Sequence, residues 1–198
     1  MNVSRRENKA NPAPTAKWSG VRRTFALAML AFFVSSGQCH AQTGTQHEYE
    51  LKAGVLFHII EYVEWPKDAQ SNTPPAIQIG LLGQIPFADA LEVLNGKIVQ
   101  GRELVVKRLT DLQAATSCQV VFIGASEKSR VPEIMAEVKN QPVLTVSEID
   151  GFAENGGMVN LIAGPNRIIM EINWEVTNRA RLSMSSQLLK LAKVFPPR

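Results

Sequence analysis

His58, Glu61 and Glu64 stand three residues apart in the apolar run "GVLFHIIEYVEWP", residues 54–66. An imidazole and two carboxylates are the groups that ligate a metal or relay a proton. On a helix, residues three apart are neighbours, so His58 can pair with Glu61, which favours the charged imidazole. His58 and Glu64 are six apart, and a large angle separates them around the axis. Enclosing a metal would need further ligands from elsewhere. Helical spacing instead gathers Glu50, His58, Glu61 and Glu64 opposite the apolar arc. The trio is expected to be the wet edge of a packed helix. A partner-contact surface and a metal or catalytic site are the alternatives.

The rest of the chain offers little further chemistry. There is no G-x-S-x-G, no G-x-x-x-x-G-K, no H-E-x-x-H and no Cys/His cluster. "GLLG" holds Gly80 and Gly83 but lacks the spacing of a dinucleotide-binding loop. Asp89 and Glu92 read as a solvated helix face, and Asn155-Gly156-Gly157 as turn chemistry.

The beginning of the chain reads as an export signal. A basic, polar stretch precedes ten uninterrupted apolar residues, Phe25 to Val34, and then small residues lead to "CHA". This is the order of a secretory leader, with cleavage expected after Ala41. The apolar run is shorter than the ~20 residues of a membrane-spanning helix. "VRRTF" matches a twin-arginine signal incompletely, so the general export route is favoured. Gln38 before Cys39 argues against a lipoprotein. Without this leader, 15 Lys+Arg face 17 Asp+Glu, and the basic balance of the whole chain disappears. No basic patch remains that would suggest nucleic acid binding. Residues 42–198 have the length of a single domain. They hold one cysteine, Cys118, and so no internal disulfide. It reads as a small buried residue, with an intermolecular bridge as the alternative.

The elements that must position these groups alternate. A helix is expected over 47–64, on an apolar face of Leu51, Val55, Leu56, Ile59, Ile60 and Val63, and it stops before Pro66. "KDAQSNTPP" reads as a polar loop. Strands are expected at 76–83, 102–109, 119–124 and 142–148, with helices over 86–96, 111–115 and 126–140 between them. This is an α/β pattern: a mainly parallel sheet flanked by helices on both faces. Met158 to Ile162 and Arg167 to Ile172, joined by "AGPN", read as an antiparallel edge hairpin. "WEVTNRARLSMSSQLLKLAKVF" reads as one or two terminal helices, with Ser185 and Ser186 as candidate caps.

Three side chains on these elements carry further weight. Trp65 ends the first helix before a proline, so its ring either folds over the core or anchors an interface. Trp174 invites the same comparison. Glu171 sits in an apolar strand and needs a partner if it is buried; Arg179 and Arg181 are the nearest obvious source. Alternatively, Glu171 and Asn173 line a small-molecule pocket beside the terminal helix.

The ordered set "LKAGVLFHIIEYVEWP", "IGLLGQIPFADALEVLNGKIVQGRELVVKRL", "CQVVFIGASE", "PVLTVSEIDGFAENGGMVNLI" and "IIMEINWEVTNRARLSMSSQLLKLAKV" resembles the YfiR family from about Tyr49 to Val194. The resemblance implies a periplasmic α/β protein, often a homodimer, that is a regulator and not an enzyme, with no cofactor or metal. It implies repression of an inner-membrane diguanylate cyclase through contact with its periplasmic domain, which lowers cyclic di-GMP and biofilm formation. An outer-membrane lipoprotein is implied as the partner that relieves repression. The chain departs from the family in two places. Gly80 stands where members often carry a cysteine that pairs with the one before "FIG", leaving Cys118 alone. Ser183 and Ser185 replace a basic residue and a histidine in the partner- or ligand-facing segment, while Glu171 matches an acidic position there. The residue reading and the resemblance together give the candidate partner- or ligand-binding set Glu64, Trp65, Glu171, Asn173, Ser183 and Ser185. A periplasmic small-molecule sensor with another membrane partner is the alternative reading.

Overall fold

A computed structural model describes residues 41–66, 76–165 and 167–195, with side chains from residue 45 on. The expected leader, Ala41 apart, and the expected loop at 67–75 lie outside the described residues. The chain divides into two units, Met1–Thr43 and Gly44–Arg198, and the description that follows concerns the second. Among the described residues, no helix is long and apolar enough to cross a membrane.

Among the described residues, eight strands form one sheet. In chain order they are β2 (Ala76–Leu82), β3 (Ile98–Val99), β4 (Arg102–Leu109), β5 (Val120–Ile123), β6 (Leu144–Ser147), β7 (Val159–Gly164), β8 (Arg167–Asn173) and β10 (Lys193–Phe195). Their spatial order is β10-β8-β7-β6-β5-β2-β4-β3. The strands from β4 through β7 run parallel, as the alternating pattern requires. β7 and β8 form the expected antiparallel hairpin. The edge place is taken by β10, which adds parallel to β8 outside the hairpin.

A strand of period two feeds two cores. Val120 and Phe122 of β5 join a large cluster with Leu56, Ile60, Ile79 and Phe87, while Val121 and Ile123 join a second with Ile134 and Phe152. Helix α1 (Ala41–Glu61) packs in the first cluster. Helix α3 (Val131–Glu137), with Pro132 in its first turn, contributes to the second. The expected helix over 86–96 is a short α2 (Ala88–Glu92) continued by turns. The expected helix over 111–115 is a 3-10 turn, Gln113–Ser117, and another, Ala125–Arg130, precedes α3.

Helix α1 ends three residues earlier than its apolar pattern suggests. Val63–Glu64 instead forms β1, paired antiparallel with β9 (Ser183–Met184) as a separate two-stranded ribbon. Its buried line is also rotated. Leu51 and Val55 are only half-buried, whereas Lys52, Ala53, Leu56, Ile59, Ile60 and Val63 face inward. A row spaced strictly by four drifts about 40° per step against the helical repeat, so the 51-55-59-63 row winds off the buried face. The terminal segment makes two short helices, α4 (Trp174–Arg179) and α5 (Ser186–Leu191), with β9 between them and β10 after them.

Candidate functional site

The candidate side chains fall into two places, and the first lies at the end of α1. The last carbonyls of a helix have no partner within it. Here the side chain of Gln100 supplies one. Held at φ 52 in the β3–β4 turn, Gln100 directs Nε2 at the carbonyls of Ile60, Glu61 and Val63, at 3.4, 3.1 and 2.9 Å. The chain then enters β1, where Glu64 pairs with Ser183 and Val63 with Met184. The Ser185 N–H donates to the carbonyl of Tyr62 (3.0 Å), and its hydroxyl accepts from the N–H of Leu188 (3.2 Å), capping α5. Three of the candidates, Glu64, Ser183 and Ser185, thus meet on one ribbon. Val63 and Met184 point into the core, and Glu64 and Ser183 point to solvent. Trp65, next in the chain, is 6 % exposed and belongs to the main core cluster.

The second place is a polar ladder across four strands. Ser147 of β6 stands opposite Asn160 of β7, Asn160 opposite Glu171 of β8, and Glu171 opposite Lys193 of β10. Asn160 Nδ2 donates to Glu171 Oε2 (3.4 Å) and Lys193 Nζ to Oε1 (3.0 Å). Glu171 is 7 % exposed, so burial demands this compensation. The cation is not from the "RAR" segment as expected. Arg179 pairs with Glu175 (3.2 Å), and Lys193 reaches Glu171 because β10 joins the sheet there. The Lys193 ammonium also lies 4.3 Å from the ring centre of Phe195, a cation–π contact. Among the described residues, Asn160 Oδ1 is buried without a hydrogen-bond partner. Asn173 caps α4: Oδ1 accepts from the N–H of Val176 (3.0 Å), and Nδ2 donates to the carbonyl of Ala153 (2.7 Å).

The trio that first suggested chemistry is divided. His58 Nδ1 and Glu61 Oε2 are 3.1 Å apart and exposed, while Glu64 has left the helix. Among the described residues, no three His, Cys, Asp or Glu side chains gather as metal ligands.

Sequence reasoning missed Lys52. It is 5 % exposed, with Nζ 2.7 Å from Glu48 on α1 and 2.7 Å from Glu148 after β6. The ammonium also faces the ring of Phe87 at 5.0 Å. Burial works against its charge, but Glu148 and Glu48 together outweigh burial and hold its pKa above the ordinary lysine value. The signal was available, because residue 52 falls within the arc of Ala53, Leu56, Ile59 and Ile60.

Cys118 is buried, and burial pushes its thiol pKa up against the pull of Lys107 and Ser117. A Cβ on Gly80 would lie 2.8 Å from Cys118 Sγ and 2.7 Å from Leu109 Cδ1. At the switch point of the sheet, where β2 has β4 on one side and β5 on the other, such folds commonly bind ligands beyond the strand ends. Here the two loops close on each other: the Gln84 N–H donates to Ser126 Oγ (2.8 Å), and Gly124 sits against the Gln84 carbonyl. The concavities lie elsewhere. One of about 320 Å³ separates α3 from α4 above Thr145, and a groove of about 560 Å³ runs between α1 and α2.

Comparison with known proteins agrees with this architecture. A conserved domain protein from Vibrio cholerae is 13 % identical, with a TM-score of 0.52, over 74 % of this chain and 59 % of that one. The chain therefore spans less than two thirds of that protein, and the likeness is one of fold. The ABC domain crystallised with L-Trp from Streptococcus pneumonia is more distant: 11 % identity and a TM-score of 0.44, over 65 % of this chain and 58 % of that one. The YfiR/HmsC-like family model matches residues 49–193, from the middle of α1 through the first residue of β10. The chain belongs to the YfiR/HmsC-like family.

Proposed function

We propose that the protein is a periplasmic regulator that represses an inner-membrane diguanylate cyclase by contacting its periplasmic domain. Repression lowers cyclic di-GMP and biofilm formation. An outer-membrane lipoprotein relieves it by sequestering the regulator. The observation that carries this reading is the family match over nearly the whole α/β unit. The β1–β9 ribbon supports it by presenting Glu64 and Ser183 to solvent on a backbone fixed by Gln100 and Ser185. A polar pair on a rigid support suits recognition of a protein surface, because little conformational freedom is lost on contact.

Deletion with a cyclic di-GMP readout, combined with capture from solubilised membranes, tests the reading. The expected result is raised cyclic di-GMP and recovery of a membrane cyclase. Unchanged cyclic di-GMP together with an empty capture overturns it. Glu64→Arg should weaken capture while leaving the melting temperature nearly unchanged, since Glu64 is exposed.

The sensor reading draws on a different place from the pocket expected at Glu171 and Asn173: the concavity between α3 and α4, which neither of those residues lines. Met135, Met158 and Val176 give it apolar walls, with Lys139 and Arg179 also lining it. Thermal shift against a metabolite set tests it, and a uniformly flat response removes it.

A further inference from the structure

The lining of the concavity between α3 and α4 is sorted by depth. Its volume of about 320 Å³ is at the small end of ligand sites, which run from about 300 to 1,000 Å³. Met135, Met158 and Val176 wall it, and unbranched methionines adapt to an irregular guest. Lys139, just past α3, and Arg179, at the end of α4, also line it, and both are exposed, so their charges sit at the mouth. Arg179 meets Glu175 at 3.2 Å through Nη2 alone, which leaves other guanidinium donors to spare. Among the described residues, no Asp or Glu lines the cavity.

The floor is polar where the neighbouring core is not. Thr145 of β6 is fully buried and lines the cavity, while Val121, its register partner on β5, belongs to the second core cluster. Ser147, two residues on, uses both functions of its hydroxyl. It donates to the Ile123 carbonyl (2.8 Å) and accepts from the Ile149 N–H (3.1 Å). The Thr145 hydroxyl accepts from the Met158 N–H (3.1 Å), and among the described residues its own O–H reaches no acceptor. That bond accounts for the oxygen and leaves the hydrogen bare. A buried donor without an acceptor is costly, so this one calls for an acceptor that enters the cavity. Basic residues at helix C-termini also complement the helix dipole. That accounts for Lys139 and Arg179 but not for Thr145.

We propose that this cavity binds a small monocarboxylate with an apolar body and an uncharged carbonyl at its far end. The carboxylate pairs with Lys139 and Arg179 at the mouth, where it keeps part of its hydration. The body lies against Met135, Met158 and Val176, and the carbonyl oxygen accepts from the Thr145 O–H at the floor. An amino group on the ligand is disfavoured, because no carboxylate lines the cavity to receive it. This inference rests on the sensor reading and names the ligand class of that site; it does not depend on the cyclase reading.

Calorimetric titration of the purified protein with monomethyl adipate, octanoate and dimethyl adipate tests it. Octanoate has the same chain length without the far carbonyl, and dimethyl adipate lacks the charge. Monomethyl adipate should bind about 5–10-fold more tightly than octanoate and at least about 10-fold more tightly than dimethyl adipate. Thr145→Val should erase the preference over octanoate. It also bares the Met158 N–H and melts lower, so the ratio between the two ligands is the readout. Lys139→Gln combined with Arg179→Gln should erase the preference over dimethyl adipate, and the fold should persist because both side chains are exposed. Equal binding of the three ligands overturns the proposal, as do preferences that survive both sets of substitutions. If none of the three binds while other metabolites shift the melting temperature, the ligand class is wrong and the sensor reading stands. If the metabolite set is flat as well, both fall.

Discussion

Gly80→Cys should close a disulfide with Cys118. A Cβ at position 80 lies 2.8 Å from Cys118 Sγ. In a disulfide, each sulfur sits about 3 Å from the opposite Cβ, so the backbone already has the required separation. Position 80 is in β2 between Lys107 of β4 and Val121 of β5, and extended backbone suits any residue. The bond would close a loop of 39 residues, 80 to 118. Loop-closure entropy for that length gives about 4 kcal/mol. Leu109 Cδ1, 2.7 Å from the new Cβ, is the obstacle. Moving the end of this half-buried side chain costs about 1–3 kcal/mol of overpacking. Because the crowding is present with or without the bond, the two terms separate. Reduced Gly80→Cys should melt below wild type, alongside Gly80→Ser as the control. Oxidised Gly80→Cys should melt about 8–16 °C above its reduced form. Thiol counting by mass under denaturing conditions, with melts in and out of reductant, measures both. Two free thiols after export into an oxidising compartment, or identical oxidised and reduced melts, refute the geometry. The thiol pKa raised by burial predicts slow closure without a catalyst, since the thiolate is the reactive form.

Three further outcomes follow from the contacts. Lys52→Met leaves Glu48 and Glu148 facing each other without their cation and should cost about 2–3 kcal/mol, read by urea unfolding. Since the folded pKa of Lys52 is raised, the ammonium's contribution is complete below about pH 10.5 and is lost only as pH climbs through the folded value; the penalty should therefore be constant from about pH 7 to 9. Gln100→Ala removes the donor shared by three carbonyls and should cost about 1–2 kcal/mol. Hydrogen exchange of the last turn of α1 should quicken, and unchanged protection there would remove the clamp from the account. Lys193→Met strips the buried Glu171 of its cation, but the lysine is largely exposed, so about 1–2 kcal/mol is expected; adding Glu171→Gln should restore most of it, and a double variant no better than the single one would contradict the pairing.

The parallel strands and the hairpin were legible because each is a run of β-branched and aliphatic residues with turn chemistry at its ends. β5 reads clearly because a strand covered on both faces is apolar at every position, whereas β6 alternates apolar Leu144 and Val146 with buried Thr145 and Ser147. The short strands β1, β3, β9 and β10 were not legible. Two or three residues show no period, and their pairing is decided by partners far away in the chain. Val63–Glu64 looks like one more turn of α1 until Ser183–Met184, about 120 residues on, offers it a ladder.

The same distinction explains which candidate side chains were understood. The His58–Glu61 pair depends only on the helical repeat, and sequence places it correctly. Glu171 was identified as needing a partner, which is a statement about burial and follows from its apolar neighbours. Naming that partner requires the position of β10, and β10 is set by register: Lys193 opposite Glu171, Val194 opposite Ile172, Phe195 opposite Asn173. A shift of one residue would put Val194 against the carboxylate and leave it buried without a cation. The ion pair and the strand therefore specify each other, and an acidic side chain within an apolar strand marks where the terminal strand must dock.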